Sequence, residues 1–204
     1  MNRGLLITLD GPGGSGKSTL ARAVTSRLLR AGIPAEHTAQ PSPGPIGVLA
    51  RSGTHDFHGY ALACLVAADR YHHLDTFIRP ALAAGTTVIC DRYTPSSLVF
   101  QALDGVEQSF ITHLHSHAEH PDLAVFLTCD EKELRRRLAA RGSHGRFEDD
   151  PRISAEEITR YRTVSSYYAH QGVRILELDA TATSTESLAH QVITAVSALT
   201  SAPS

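Results

Sequence analysis

Near its start the chain leaves an apolar run and enters Gly11-Pro12-Gly13-Gly14-Ser15-Gly16-Lys17-Ser18-Thr19, a match to G-x-x-x-x-G-K-[ST]. No other segment constrains the fold as much. Residues 4–9 (GLLITL) are continuously apolar and read as a parallel strand buried on both faces. Residues 17–31 place Leu20, Val24, Leu28 and Leu29 at helical spacing, and Gly32 closes the helix. The order is therefore strand, glycine loop, helix, the context in which this motif binds phosphate. Glycines let the backbone wrap until several N–H groups face one anion, and the helix N-terminus adds partial positive charge. Gly11, Gly13, Gly14, Ser15, Gly16, Lys17, Ser18 and Thr19 are thus expected to hold a nucleoside triphosphate. Lys17 would reach its β- and γ-phosphates, and Ser18 its Mg²⁺.

The rest of the chain repeats the alternation. Strands are expected at 34–38, 86–90, 123–128 and 173–178. Helical patterns cover 55–84, interrupted near Tyr71 or Pro80, a stretch from Pro95, then 105–119, 131–141, 154–170 and 185–199. Prolines, glycines and serines make 40–54 a loop, and 142–152 reads as a mobile polar loop. Five strands alternating with helices predict a three-layer α/β/α fold on a five-stranded parallel sheet. One domain over 1–204 is expected, with a small lid at about 141–153 and a flexible tail at about 200–204. Functional loops in such a sheet gather at the carboxyl ends of its strands. There the sequence places Asp10, Gln40, Asp91 and Asp130.

Composition narrows the partners. The chain has 204 residues and a net charge of −2, which excludes a polybasic binder of polymeric nucleic acid or membrane held by bulk electrostatics. No apolar run approaches the ~18 residues of a membrane span, and the apolar stretch in MNRGLLITLD is too short for a signal peptide. Cys64, Cys90 and Cys129 are scattered, which suits a reducing cytoplasm. Only Lys17 and Lys132 are lysines among 19 basic residues, so a lysine in the glycine loop marks a place that needs a compact ammonium. The histidines, including His72, His73, His113, His115 and His117, read as surface residues. Arg22, Arg27 and Arg30 lie on the exposed side of the first helix.

The glycine loop, Ala67-Ala68-Asp69-Arg70, Arg79-Pro80 through Gly85, Asp91-Arg92-Tyr93-Thr94-Pro95-Ser96-Ser97 through Gln101, Pro121-Asp122-Leu123 and Arg146-Phe147-Glu148 together resemble the thymidylate kinase family over most of the chain. The resemblance implies an ATP- and Mg²⁺-dependent nucleoside monophosphate kinase, acting on dTMP or a related or modified pyrimidine nucleotide, and a homodimer. Asp91 at a strand end suits the Mg²⁺ shell, together with Ser18. Arg92 suits a forked contact to the acceptor phosphate, unless Asp91 and Arg92 form a surface pair. The resemblance implies that Arg70 contacts the base; a salt bridge to Asp69 or Asp75 is its alternative. Gln101, on one helical face with Ser97, either pairs with a base edge or is an exposed polar residue. Asp10, Tyr93, Val66 and Phe147 complete the expected acceptor set. The resemblance implies that the charge over the migrating phosphoryl group comes from an arginine of the phosphate loop or of the lid; no basic side chain lies between Pro12 and Ser15, so Arg146 or Arg141 in the lid is expected to supply it. In the Arg135–Arg137 run, Arg136 at least belongs to a solvated face.

Three positions depart from the family pattern. Gly13 stands where relatives carry an acid, Gln40 lies in a segment where relatives have Arg-Glu-Pro-Gly-Gly, and Val66 replaces the aromatic that stacks on thymine. Phe57, Tyr60, Phe100 and Tyr71 are candidates to replace that stacking. Two further function classes stay open: a kinase of a hydroxyl acceptor, such as a deoxynucleoside, with Asp10 or Asp91 as its base, and a nucleotide-binding module without turnover.

Overall fold

Residues 3–142, 146–149 and 151–201 are described by a computed structural model; of these, the side chains of 141, 148, 149, 151–154 and 201 are not described. The apolar runs become three central strands, β1 (Leu6–Asp10), β3 (Thr87–Asp91) and β4 (Leu123–Thr128), almost wholly buried. The more polar runs become the edges, β2 (Ala35–Ala39) and β5 (Ile175–Asp179). The order β2-β3-β1-β4-β5 is parallel throughout. A strand buried on both faces can carry apolar side chains continuously, while an edge strand meets water.

One face is covered by α1 (Lys17–Arg30) and α10 (Thr185–Ser201). Leu20, Val24, Leu28, Val192 and Val196 pack there against Ile7, Leu9, Val125 and Leu127. On the other face lie α3 (Gly59–His73), α4 (Arg79–Ala83), α5 (Thr94–Leu103), α6 (Gln108–Leu114) and α9 (Pro151–His170). Two apolar clusters fill this layer. One joins Val99, Ile111 and Tyr161 to Phe126, and the other joins Leu74, Ile78 and Leu82 to Val88.

From β1 the chain builds β2 and β3 on one side and then β4 and β5 on the other, so the crevice opens at the carboxyl end of β1. Leu9 pairs with Asp91 and with Val125 in register, which sets the tips of β1 and β3 side by side.

The structure corrects several boundaries. Residues Pro45–Ser52, expected as loop, form a helix, α2. Its Pro45 sits in the first turn, where a missing N–H costs nothing. The 55–84 pattern runs from α3 into α4 through a wider turn over Leu74–Ile78, closed by Arg79 N–H to the Leu74 carbonyl. Pro80 has no N–H to offer the preceding turn, and the wider turn carries the chain past it. The helix expected over 105–119 is confined to Gln108–Leu114. After α7 (Glu131–Arg141), part of the expected polar loop is a short helix, α8 (Arg146–Asp149). Residues 143–145, 150 and 202–204 lie outside the described residues.

Candidate active site

The glycine loop turns between β1 and α1 on left-handed backbone at Gly14 (φ 80°) and Gly16 (φ 94°). A side chain at Gly11 would put its Cβ 2.5 Å from the Leu127 carbonyl oxygen, so only glycine fits against β4. Lys17 opens α1 and is buried. Its Nζ donates to the carbonyls of Gly11 (2.9 Å) and Pro12 (2.8 Å) and lies 3.4 Å from Ser15 Oγ. Burial, and then the Arg92 guanidinium, lower the ammonium to about 8. Ser18 Oγ donates to Asp91 Oδ2. Asp91 Oδ1 is buried and has no hydrogen-bond partner among the described residues. A hydroxyl and a carboxylate with a spare oxygen form a hard donor set that suits Mg²⁺.

Arg92 follows β3 in a left-handed conformation, φ 67°, which a non-glycine residue adopts at a cost of about 1–3 kcal/mol. That backbone turns the guanidinium back toward the glycine loop. Nη1 lies 3.3 Å from the Gly11 carbonyl and 2.9 Å from Tyr161 Oη, and the guanidinium carbon lies 4.8 Å from the Phe100 ring centroid. Asp91 and Arg92 are therefore not paired with each other at the surface. Asp10 takes a different place from the one expected. Its Oδ1 accepts from the Tyr93 and Ser96 amides (both 3.1 Å) and from Ser96 Oγ (2.6 Å), so it anchors the first turn of α5. It is not among the residues lining the cavity.

A single cavity of about 760 Å³ joins the glycine loop to the helices above it. Lys17, Ser18, Asp91 and Arg92 line it, as do Arg70, Tyr93, Ser97, Gln101, Val66 and Phe147. Arg70 is 2% exposed. Nε donates to Gln40 Oε1 at 2.7 Å and Nη1 to Ser97 Oγ at 2.8 Å. Nη1 also stands 3.0 and 2.9 Å from the two ring nitrogens of His115. Neither alternative acid takes Arg70: Asp69 accepts from Ser42 N and Oγ (2.6 and 2.5 Å), and Asp75 pairs with Arg79. All three partners are neutral, since burial and Arg70 hold the His115 imidazole down at about 2.

The reading of His73 and His115 as surface residues is overturned. His73 is buried against Thr38 and Gln40, and His115 behind Arg70. Sequence spacing could not show this, because the helix ends at Leu114 and turns His115 inward. Gln101 is buried rather than exposed. Its Oε1, the Tyr93 hydroxyl and Thr54 Oγ1 all lack hydrogen-bond partners among the described residues, and all three residues line the cavity. Of the four aromatic candidates, only Phe100 lines it. Phe57 packs behind Val66, Tyr60 stacks edge-on with Phe110, and Tyr71 donates to the Leu114 carbonyl.

Arg146 does not reach the cavity lining. Its Nη2 is 2.7 Å from Asp104 Oδ2, and its guanidinium carbon lies 4.3 Å from the Phe147 ring centroid. A carboxylate at the end of α5 offers this arginine a fixed counter-charge that the sequence did not reveal. The Arg141 side chain lies outside the described residues. Arg137 lines the donor side instead, donating to the Ala180 carbonyl (2.8 Å) and to Glu133 (2.7 Å), while Arg136 pairs with Glu133 at the surface.

Sequence reasoning expected the helix α9 but missed what two of its residues do. Glu157 Oε1 accepts from the Gly13 amide at 3.1 Å, and Tyr161 Oη contacts Arg92 and Ser96. The only signal was their i, i+4 spacing on one face of a helix.

Residues 9–192 match the family described as Thymidylate kinase. The chain is 34% identical over 195 residues to a thymidylate kinase of Xanthomonas oryzae pv. oryzae strain PXO99A, covering 94% of this chain and 84% of that protein. A probable thymidylate kinase of Pyrobaculum calidifontis is 38% identical over 150 residues, covering 71% of this chain and 75% of that protein. One of Pyrococcus horikoshii is 36% identical over 155 residues, covering 72% and 75%. A match that runs from the end of β1 into α10, over the strand tips that build the cavity, makes this chain a member of the thymidylate kinase family.

Proposed function

We propose that the chain transfers the terminal phosphoryl group of ATP to the 5′-phosphate of dTMP, giving ADP and dTDP. The observation that carries this reading is the continuity of the cavity: Lys17 and Ser18 lie at one end, Arg70, Ser97 and Gln101 at the other, and Arg92 between them. A nucleotide phosphate is already an anion, so its oxygen attacks without a general base. The acceptor oxygen–phosphorus bond forms as the bond to the β–γ bridging oxygen breaks, and the electron pair leaves with ADP. What the protein must supply is position and positive charge. Lys17 balances charge on the donor, and Arg92 presents the acceptor phosphate in line with it. Mg²⁺ held at Ser18 and Asp91 would neutralise charge on the donor oxygens. Arg70 and Gln101 meet the base edge, and the Phe147 and Phe100 rings close the pocket. Arg146 latches the lid segment to Asp104.

The fate of the carboxylates argues against a hydroxyl acceptor. Asp10 anchors α5 and does not line the cavity, and Asp91 is joined to Ser18 at the phosphate-loop end of it, the place suited to Mg²⁺. One observation favours a modified pyrimidine nucleotide as a second reading. Val66, Leu62 and Ala50 leave an aliphatic wall, and Thr54, which lines the same cavity, has a buried hydroxyl group without a hydrogen-bond partner among the described residues.

Free cysteines at 64, 90 and 129 support a reducing cytoplasm. Exposed Val48, Leu49 and Tyr60 on α2 and α3 support a dimer. Among the described residues no helix is long and apolar enough to cross a membrane.

ADP release with ATP and a panel of acceptors tests the reaction. Turnover of dTMP is expected, and preference for a dUMP whose 5-substituent is other than methyl would favour the second reading. Transfer to nucleosides alone would favour a hydroxyl-acceptor kinase, and no transfer to any acceptor a binding module.

A further inference from the structure

We propose that Tyr161 is a positioning residue for the reaction: its hydroxyl group sets the Arg92 guanidinium at the acceptor phosphate through a one-way hydrogen-bond chain that ends on Asp10. The inference rests on the reading of Arg92 as the acceptor-phosphate ligand.

Proton counting fixes the direction of the chain. Ser96 has one hydroxyl proton, and Oγ gives it to Asp10 Oδ1 at 2.6 Å. The contact between Ser96 Oγ and Tyr161 Oη, 2.8 Å, must then use the tyrosine proton. That leaves the Tyr161 oxygen as an acceptor toward Arg92 Nη1 at 2.9 Å, a bond strengthened by the charge on its donor. Order therefore runs from Arg92 to Tyr161, Ser96 and Asp10, and each hydroxyl group both gives and receives.

The surroundings make this chain consequential. The backbone of Arg92 is left-handed, at φ 67°, and among the described residues the other hydrogen bonds of Nη1 are longer, at 3.3 Å to the Gly11 carbonyl and 3.4 Å to Ser96 Oγ. The guanidinium thus depends on Tyr161 for its shortest hydrogen bond. Burial pushes the Tyr161 phenol well above its ordinary range. It stays protonated, so it acts by orientation and not by taking a proton. Tyr161 also sits one helical turn after Glu157, which holds the Gly13 amide. One buried face of α9 therefore touches both the donor loop and the acceptor arginine, and α9 begins directly after the lid helix α8.

Binding measurements on Tyr161→Phe separate this role from a packing role. The ring and its edge-on contact with Phe100 remain, and only the hydroxyl group is lost. Affinity for dTMP is expected to fall about tenfold, the usual worth of a hydrogen bond to a charged group. Thymidine, which has no phosphate for Arg92, should bind the variant and the parent within about twofold. In an Arg92→Ala background, Tyr161→Phe should have no further effect on dTMP. Equal weakening of dTMP and thymidine, an additive double variant, or unchanged dTMP affinity would each overturn the proposal. If Tyr161→Phe does not fold, Ser96→Ala removes the next link and should show the same selective loss. Failure of the parent protein to prefer dTMP over thymidine would refute the acceptor reading itself, a separate result.

Discussion

Lys17 is held by its own loop carbonyls and by the carboxylates around it, yet burial lowers its ammonium to about 8. A polyphosphate laid across it favours the charged form again. Nucleotide binding at about pH 8.5 should therefore take up protons, and at about pH 6.5 Lys17 should take up none. Calorimetry in buffers of different ionisation heat reads this directly, and proton release at the higher pH would contradict it. Stability has a matching sign. The folded chain holds this proton less tightly than the unfolded chain, so Lys17 costs stability at neutral pH, and the cost fades as pH rises from about 8 toward the ordinary lysine value of 10.5. Arg92 gives a second test. Its backbone suits glycine, so Arg92→Gly should be more stable than Arg92→Ala by about 1 kcal/mol in urea unfolding, with acceptor binding equally lost in both. Lys17, Ser18 and Asp91 were legible in the sequence because a loop motif and a strand end fix where a side chain starts. Arg146 was not, since its direction depends on Asp104, distant in sequence and close only in the fold.

Among the elements, α2 is the longer of two helices that composition hid. Its segment looks like loop because of Pro43, Gly44, Pro45 and Gly47, yet the proline starts the helix and the last glycine allows it to pack. A Cβ at Gly47 would lie 2.2 Å from Ser42 O, 2.5 Å from Ser42 N and 2.7 Å from Asp69 Oδ1. Two of these atoms are backbone and cannot turn aside. Gly47→Ala should cost about 1–3 kcal/mol, measured by urea unfolding. It should also raise the acceptor KM, because the displaced loop carries Gln40, the partner of Arg70. Unchanged stability and KM would mean that α2 does not brace the pocket. The helix α9 was visible as a helix, but beyond a shared helical face its Glu157 and Tyr161 gave no sign of their work. A polar residue on a helix reads as solvated until the packing shows what it faces.

Across the whole molecule, local chemistry settled a great deal. Apolar runs and glycine punctuation determined five strands, their alternation with helices, and a phosphate loop at the first turn. Such features are short-range, since a strand's burial and a glycine's freedom are written in a few adjacent residues. The acceptor half of the site was decided elsewhere. Arg70 could equally have paired with Asp69, and only the close approach of Ser42 took that carboxylate away. His115 became a buried neutral acceptor because α6 ends just before it. Asp10 became an anchor for α5 because β1 and β3 end side by side. Each of these outcomes is a competition among polar groups for limited buried partners. The sequence names the competitors, and the tertiary structure, by bringing distant segments within about 3 Å, selects which pair forms.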